Sequence, residues 1–180
     1  FAVEENKKEK IMQGNNRMQV LVGFMLNNLT NVINRRIYGL CTLLSLSSPT
    51  STTEITMKLF NKILRDRTDL FYNRHPDQIM LCCLLVTLRA KSNNVHEENS
   101  FRHIANAYMK MHKDVLGSEI PYRILHRIKN CCSENDDEFG DIITLYNNVF
   151  LPTILPFWSS FKDGCLQEEE IEASCKSPVL

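Results

Sequence analysis

Pro76-Asp77-Gln78-Ile79-Met80-Leu81-Cys82-Cys83-Leu84-Leu85-Val86-Thr87-Leu88-Arg89-Ala90-Lys91 is the stretch whose reading decides the fold. The ten residues from Ile79 to Leu88 hold a single polar side chain, Thr87. A helix that is apolar almost all round is normally buried on most of its sides. The run is only about half of the ~20 residues that a membrane span requires. Asp77, directly after Pro76, is expected as the N-cap that satisfies the first free backbone N–H groups. Arg89 and Lys91 close the segment, where cations suit the helix dipole. The segment therefore predicts the central helix of a helical domain.

Upstream, Met18, Val20, Leu21, Phe24, Met25, Leu29, Val32, Ile33, Ile37, Leu40, Leu43 and Leu44 recur in steps that are mostly three and four, a helical period. Leu46 to Thr53 is rich in Ser and Thr around Pro49 and reads as a loop. Thr53-Glu54 then opens a helix carrying Ile55, Leu59, Ile63 and Leu64. Downstream of the central helix, 92–100 is a polar loop. A helix is expected near 100–112, with Phe101, Ile104, Ala105 and Tyr108 on one face, and another from Pro121 to Cys132. Asp136, Asp137 and Glu138 mark a helix start by charge. Phe139, Ile142, Ile143, Tyr146, Val149 and Phe150 form the stripe that follows, and Pro152 is expected to end it. Phe157, Trp158 and Phe161 form a last short aromatic element. With no convincing strand pair, Gly-rich phosphate loop or fixed-period repeat, the fold class is all-α, with about six or seven helices around one largely buried helix. The expected organisation is a charged linker or frayed helix over 1–16, one domain over 17–162, and a disordered acidic tail over 163–180.

Composition narrows the function. The 180 residues balance 21 basic against 21 acidic side chains. This lacks the basic excess of a dedicated nucleic-acid binder. Seven cysteines, with adjacent pairs at Cys82-Cys83 and Cys131-Cys132, suit neither a zinc knuckle nor a disulfide framework. They read as reduced thiols of the cytosol or nucleus. The start at Phe1 suggests a piece of a longer protein.

No group of residues reads as chemistry. His75, His96, His103, His112 and His126 are scattered, without a second ligand pair at metal spacing. Cys82, Cys83 and Cys41 sit among apolar helical residues as small core hydrophobes, without the base and cationic pocket that a catalytic thiol needs. The carboxylate runs at 136–138 and 168–170 read as a dipole device and a solvated tail. No catalytic residue, metal site or cofactor is expected. Ser48-Pro49 and Ser177-Pro178 are minimal proline-directed phosphorylation sites that would add negative charge. One positional constellation remains. Leu85 and Arg89 share a face of the central helix, and Ile143, Asn147 and Phe150 share a face of the late one. As neighbours, the two would form a shallow groove with an apolar floor, an amide and a cationic rim. An Asn amide both donates to and accepts from a peptide backbone, and a rim arginine attracts acidic flanks. Alternatively, Asn147 is simply the solvent edge of a core helix.

Two segments carry a family resemblance. Arg74-His75-Pro76-Asp77-Gln78-Ile79-Met80-Leu81-Cys82 resembles a helix of the retinoblastoma pocket family, in the B half of the pocket. Tyr146, Asn147, Val149 and Phe150 are similar to that family's later helix, and Arg36 with Leu40-Cys41 to its first B helix. The likeness spans roughly 20–160. It implies a cyclin-like fold and a nuclear, non-enzymatic co-repressor adaptor that restrains cell-cycle entry. The implied cleft takes Leu-x-Cys-x-Glu segments of chromatin modifiers and viral oncoproteins. In it, Tyr146 and Asn147 would hold the peptide backbone, and Ile143 and Phe101 would line side-chain pockets. Arg89 stands where the family has a rim lysine, and Arg102 is a second basic position. Leu85 replaces a tyrosine that packs and hydrogen-bonds the peptide. Asn27 and Asn31 stand, uncharged, where the family's basic contacts to cell-cycle transcription factors fall. The implied partners also include the A half of the pocket, whereas direct nucleic-acid or membrane binding is not implied. A different cyclin-box protein, either a kinase-activating cyclin or a general transcription initiation factor, is the alternative. The first should carry a kinase-facing Lys/Glu pair and the second a basic surface.

Overall fold

The computed structural model describes residues 2–91, 101–116, 119–129 and 139–176, with side chains over 17–91, 101–113, 119–128 and 139–164. Its centre is helix α3 (Pro76–Lys91), buried on every side from Asp77 to Leu88. Helix α1 (Ala2–Leu43) crosses it with Ile33, Ile37, Leu40 and Cys41 turned inward. Helix α2 (Pro49–Asp66) adds Ile55, Leu59, Phe60 and Ile63, and a 3-10 turn (Thr68–Phe71) adds Leu70. Helix α4 (Phe101–Leu116) contributes Phe101, Ile104 and Tyr108, and helix α5 (Glu119–His126) contributes Ile124 and Leu125. All of these apolar residues except Ile55 belong to one continuous cluster. No helix among the described residues is long and apolar enough to cross a membrane.

The charged residues 2–16 continue the backbone of α1 without a break. From 17 to 28 that helix projects, leaving Val20, Leu21, Phe24 and Met25 exposed. The Ser/Thr-rich segment expected as loop up to Thr53 is already helical from Pro49. Proline stands in the first turn, where its missing N–H costs nothing. Thr53 Oγ1 donates to Pro49 O at 2.7 Å and Thr56 Oγ1 to Thr52 O at 2.7 Å. These hydroxyls are thus satisfied inside the helix that they would otherwise disfavour.

Asp77 is not the N-cap of α3. It lies within the first turn, and His75 performs the capping. His75 Nδ1 accepts the Asp77 N–H at 3.2 Å, and Gln78 Oε1 accepts the His75 N–H at 3.0 Å. This is a capping box in which an imidazole takes the usual hydroxyl's place. Asp77 is thereby free to turn inward at 1% exposure, where Arg36 Nη1 donates to both of its oxygens at 2.5 and 2.6 Å. The Tyr108 hydroxyl donates to Asp77 Oδ2. Gln78 Nε2 donates to Ile124 O at 3.0 Å, tying α3 to α5.

The second half departs further from expectation. Helix α5 stops at His126, six residues before Cys132, because Ile128 must extend to reach the core. There β1 (Ile128–Lys129) pairs antiparallel with β2 (Phe139–Gly140), Ile128 opposite Gly140 and Lys129 opposite Phe139. Phe139 is therefore an exposed strand residue and not the start of a helical stripe. The acidic start at 136–138 lies outside the described residues. The observed N-cap is Asp141, whose carboxylate accepts the Thr144 N–H at 2.8 Å and the Thr144 hydroxyl at 2.7 Å. Helix α6 (Ile142–Leu145) runs into a π turn (Tyr146–Phe150), which leads into α7 (Leu151–Lys176). Pro152 does not end the helix. The π turn closes with the Leu151 N–H donating to Tyr146 O, and the reset ladder puts Pro152 in the first turn of α7. The short aromatic element is part of this helix, with Trp158 stacked on Phe161 at 5.8 Å. Its backbone continues to Lys176, past the boundary drawn at 162.

Candidate functional site

The π turn packs beside α3 and brings Tyr146 against Arg89. Tyr146 is 2% exposed and sits at the centre of an aromatic cluster. Phe101, the first residue of α4, meets its ring edge-on at 5.2 Å, and Phe150 stacks on it at 5.9 Å. Arg89 is exposed at the end of α3. Its guanidinium lies over the Tyr146 ring, 5.3 Å from the centroid, and Nη1 donates a long hydrogen bond of 3.4 Å to the Tyr146 hydroxyl. Burial pushes the Tyr146 phenol up, and the adjacent Arg89 charge partly offsets this. The hydroxyl therefore stays protonated and able to donate.

The structure thus joins Arg89, Tyr146 and Phe101 from three separate elements. Asn147 and Ile143 lie beside them on the outer side of α6 and the π turn. The Asn147 amide faces solvent and Ile143 is 48% exposed. Phe150 does not share this face. The wide π turn carries it inward, in register with Tyr146. Leu85 is fully buried one turn before Arg89 and presents no surface of its own. Arg102 is exposed beside Phe101. The result is an apolar shelf (Ile143), a free amide (Asn147), a buried phenol (Tyr146) and exposed cations (Arg89 and Arg102). Such a set suits an extended peptide with apolar side chains and acidic character.

Asn27 and Asn31 are exposed on α1, a different element from those that carry this set. Ser48 is exposed and directly precedes α2, its side chain making no capping bond. Ser177 lies outside the described residues. Burial pushes the Cys83 thiol well up and raises that of Cys41, as expected of packed hydrophobes. Among the described residues, no three His, Cys, Asp or Glu side chains are placed to hold a metal.

Residue patterning missed a buried polar network at the head of α3. The Tyr108 and His112 rings lie 4.6 Å apart, tilted by 59°, and both flank the Arg36–Asp77 pair. The nearest signal was the polar Asp77 at the head of an apolar helix.

The structure is an all-α domain whose buried central helix ends beside an exposed polar surface of Arg89, Arg102 and Asn147, and known proteins narrow the class. The family described as Retinoblastoma-associated protein B domain matches residues 21–155. The chain belongs to that family, and its fold is cyclin-like. It is similar to Retinoblastoma-related protein 2 of Zea mays, 35% identical over 127 residues, covering 70% of this chain and 14% of that protein. Retinoblastoma-related protein 1 of Pisum sativum is 34% identical over 125 residues, covering 67% and 12%. Retinoblastoma-related protein 1 of Oryza sativa subsp. indica is 29% identical over 156 residues, covering 86% and 15%. The chain thus spans only between 12% and 15% of the length of these relatives.

Proposed function

We propose that this chain is the B half of a retinoblastoma-type pocket, part of a non-enzymatic nuclear adaptor that regulates transcription and cell-cycle progression. Its groove binds Leu-x-Cys-x-Glu peptides of chromatin regulators. The observation that carries this reading is the convergence of Arg89, Phe101 and Tyr146 from three elements beside the exposed Asn147 amide. Asn147 holds the peptide backbone, Ile143 takes an apolar side chain, and Arg89 and Arg102 face its acidic residues. Family membership over residues 21–155 supports the same reading. The projecting apolar face of α1 is the surface on which an A half docks, and cell-cycle transcription factors bind once the halves are joined. The uncharged Asn27 and Asn31 make that second contact weaker than the groove.

The test is titration of the chain with a fluorescent Leu-x-Cys-x-Glu peptide. Asn147→Ala removes backbone hydrogen bonds of ~0.5–1.5 kcal/mol each, so affinity falls roughly three- to tenfold or more. Arg89→Glu repels an acidic peptide and lowers affinity further. No binding by the parent, or equal binding by both variants, contradicts the proposal.

A further inference from the structure

Arg89 has an unusual position for a rim cation. Among the described residues it contacts no carboxylate, and its cation–π contact and its hydrogen bond both go to Tyr146. The guanidinium covers one ring face while Phe101 and Phe150 pack around the same ring, which leaves Tyr146 only 2% exposed. Leu85, one turn back, is fully buried and offers no hydroxyl to compete for the tyrosine. A peptide that approaches along Ile143 and Asn147 reaches the Tyr146 ring and hydroxyl only after Arg89 swings away.

From this we infer that Arg89 is a latch that closes the groove in the free protein and opens for peptides carrying a carboxylate next to the segment that meets Tyr146. The inference rests on the groove reading and adds the regulation of that site. Opening exchanges one set of weak contacts for another. Arg89 gives up the ring face and the 3.4 Å hydrogen bond and gains a peptide carboxylate. Tyr146 loses Arg89 and gains peptide contacts. A neutral peptide must displace Arg89 with nothing to offer it, so the latch selects by charge while burying little area of its own. An exposed cation–π contact and an exposed ion pair each amount to a factor of about two to five in binding.

The experiment compares the 180-residue chain with Arg89→Ala and Arg89→Gln. The probes are two synthetic Leu-x-Cys-x-Glu peptides, one with aspartates ahead of the leucine and one with serines there. Circular dichroism establishes that each variant is folded. Parent protein prefers the acidic peptide. In both variants the serine peptide binds about two- to fivefold tighter than to the parent, and the preference ratio falls towards one. A second readout needs no peptide: the Tyr146 ring resonances, assigned with Tyr146→Phe, move on removal of Arg89. Equal weakening of both peptides makes Arg89 an ordinary rim charge and overturns the latch while leaving the groove reading intact. An unmoved Tyr146 signal overturns the latch by itself. Absence of binding by any form overturns the groove reading and the latch with it.

Discussion

Removing the Asp77 carboxylate should unfold this domain far more readily than removing any exposed carboxylate. Asp77 is 1% exposed and accepts from Arg36 twice, at 2.5 and 2.6 Å, and from the Tyr108 hydroxyl. Asp77→Ala leaves a guanidinium and a buried hydroxyl without their partner. Breaking a buried pair from one side costs about 3–5 kcal/mol. The Arg36 side chain is 29% exposed and can turn to water, which favours the lower end, about 3 kcal/mol. At ~2–4 °C per kcal/mol for a domain of this size, Tm falls by roughly 6–12 °C. The control is Asp66→Ala, whose carboxylate pairs with Lys62 at 2.9 Å and Arg65 at 3.0 Å entirely at the surface. Screened surface pairs contribute little, so no resolvable shift is expected. Urea unfolding followed by circular dichroism measures both through the midpoint at constant slope. A midpoint shift for Asp77→Ala no larger than that for Asp66→Ala would refute the argument that this network fastens α1 and α4 to α3.

Further outcomes follow from the same geometry. Asp141→Ala removes the cap of α6, costs about 1 kcal/mol and loosens the turn bearing Tyr146 and Asn147, so both urea midpoint and peptide affinity fall. Leu85→Tyr forces a larger ring into a fully buried site and destabilises by about 1–3 kcal/mol; an unchanged melting temperature contradicts this packing. Burial, together with the nearby Arg36, pushes the His112 imidazole below its ordinary 6.5. The unfolded chain therefore binds the extra proton first, and stability falls as pH drops from about 6.5 towards the lowered native value, then levels off with respect to this group. His112→Gln should flatten that limb of a stability–pH profile. Gly39→Ala brings a methyl to 3.3 Å from the flexible Met111 sulfur; the yielding thioether lets the helix-propensity gain of up to ~0.8–1 kcal/mol dominate, read as a small rise in Tm.

Helix α3 was legible because its composition admits one solution: a segment apolar on every side has to lie inside. The helical faces at Ile33, Ile37 and Leu40 and at Phe101, Ile104 and Tyr108 were legible for the same reason, since their spacing matches the helix turn. Asp77 was misread because its partners are distant in sequence. Arg36 lies 41 residues upstream and Tyr108 lies 31 downstream, and neither leaves a local trace. A capping histidine is likewise hard to foresee where aspartate stands two residues on. The stripe from Phe139 to Phe150 was legible in part: Ile142, Tyr146 and Phe150 do turn inward along one helical stretch. The first member of the stripe is extended, and the π turn shifts Phe150 out of line with Ile143 and Asn147. Pro152 pointed to a helix end, whereas the π turn absorbs it by renewing the ladder. Of the proposed groove, the faces bearing Arg89 and Asn147 were readable from helical spacing, whereas Tyr146 entered only through the family resemblance and spacing left open whether the two elements meet. The seating of Arg89 on the Tyr146 ring was not readable, because it depends on how two helices meet.

The most direct measurement is amide NMR mapping of the isotope-labelled chain as unlabelled Leu-x-Cys-x-Glu peptide is added. The account predicts saturating shifts centred on Arg89, Phe101, Arg102, Ile143, Tyr146 and Asn147, with Asn27 and Asn31 unmoved. Shifts centred on the exposed stripe of α1, or no saturating shifts at all, would contradict it.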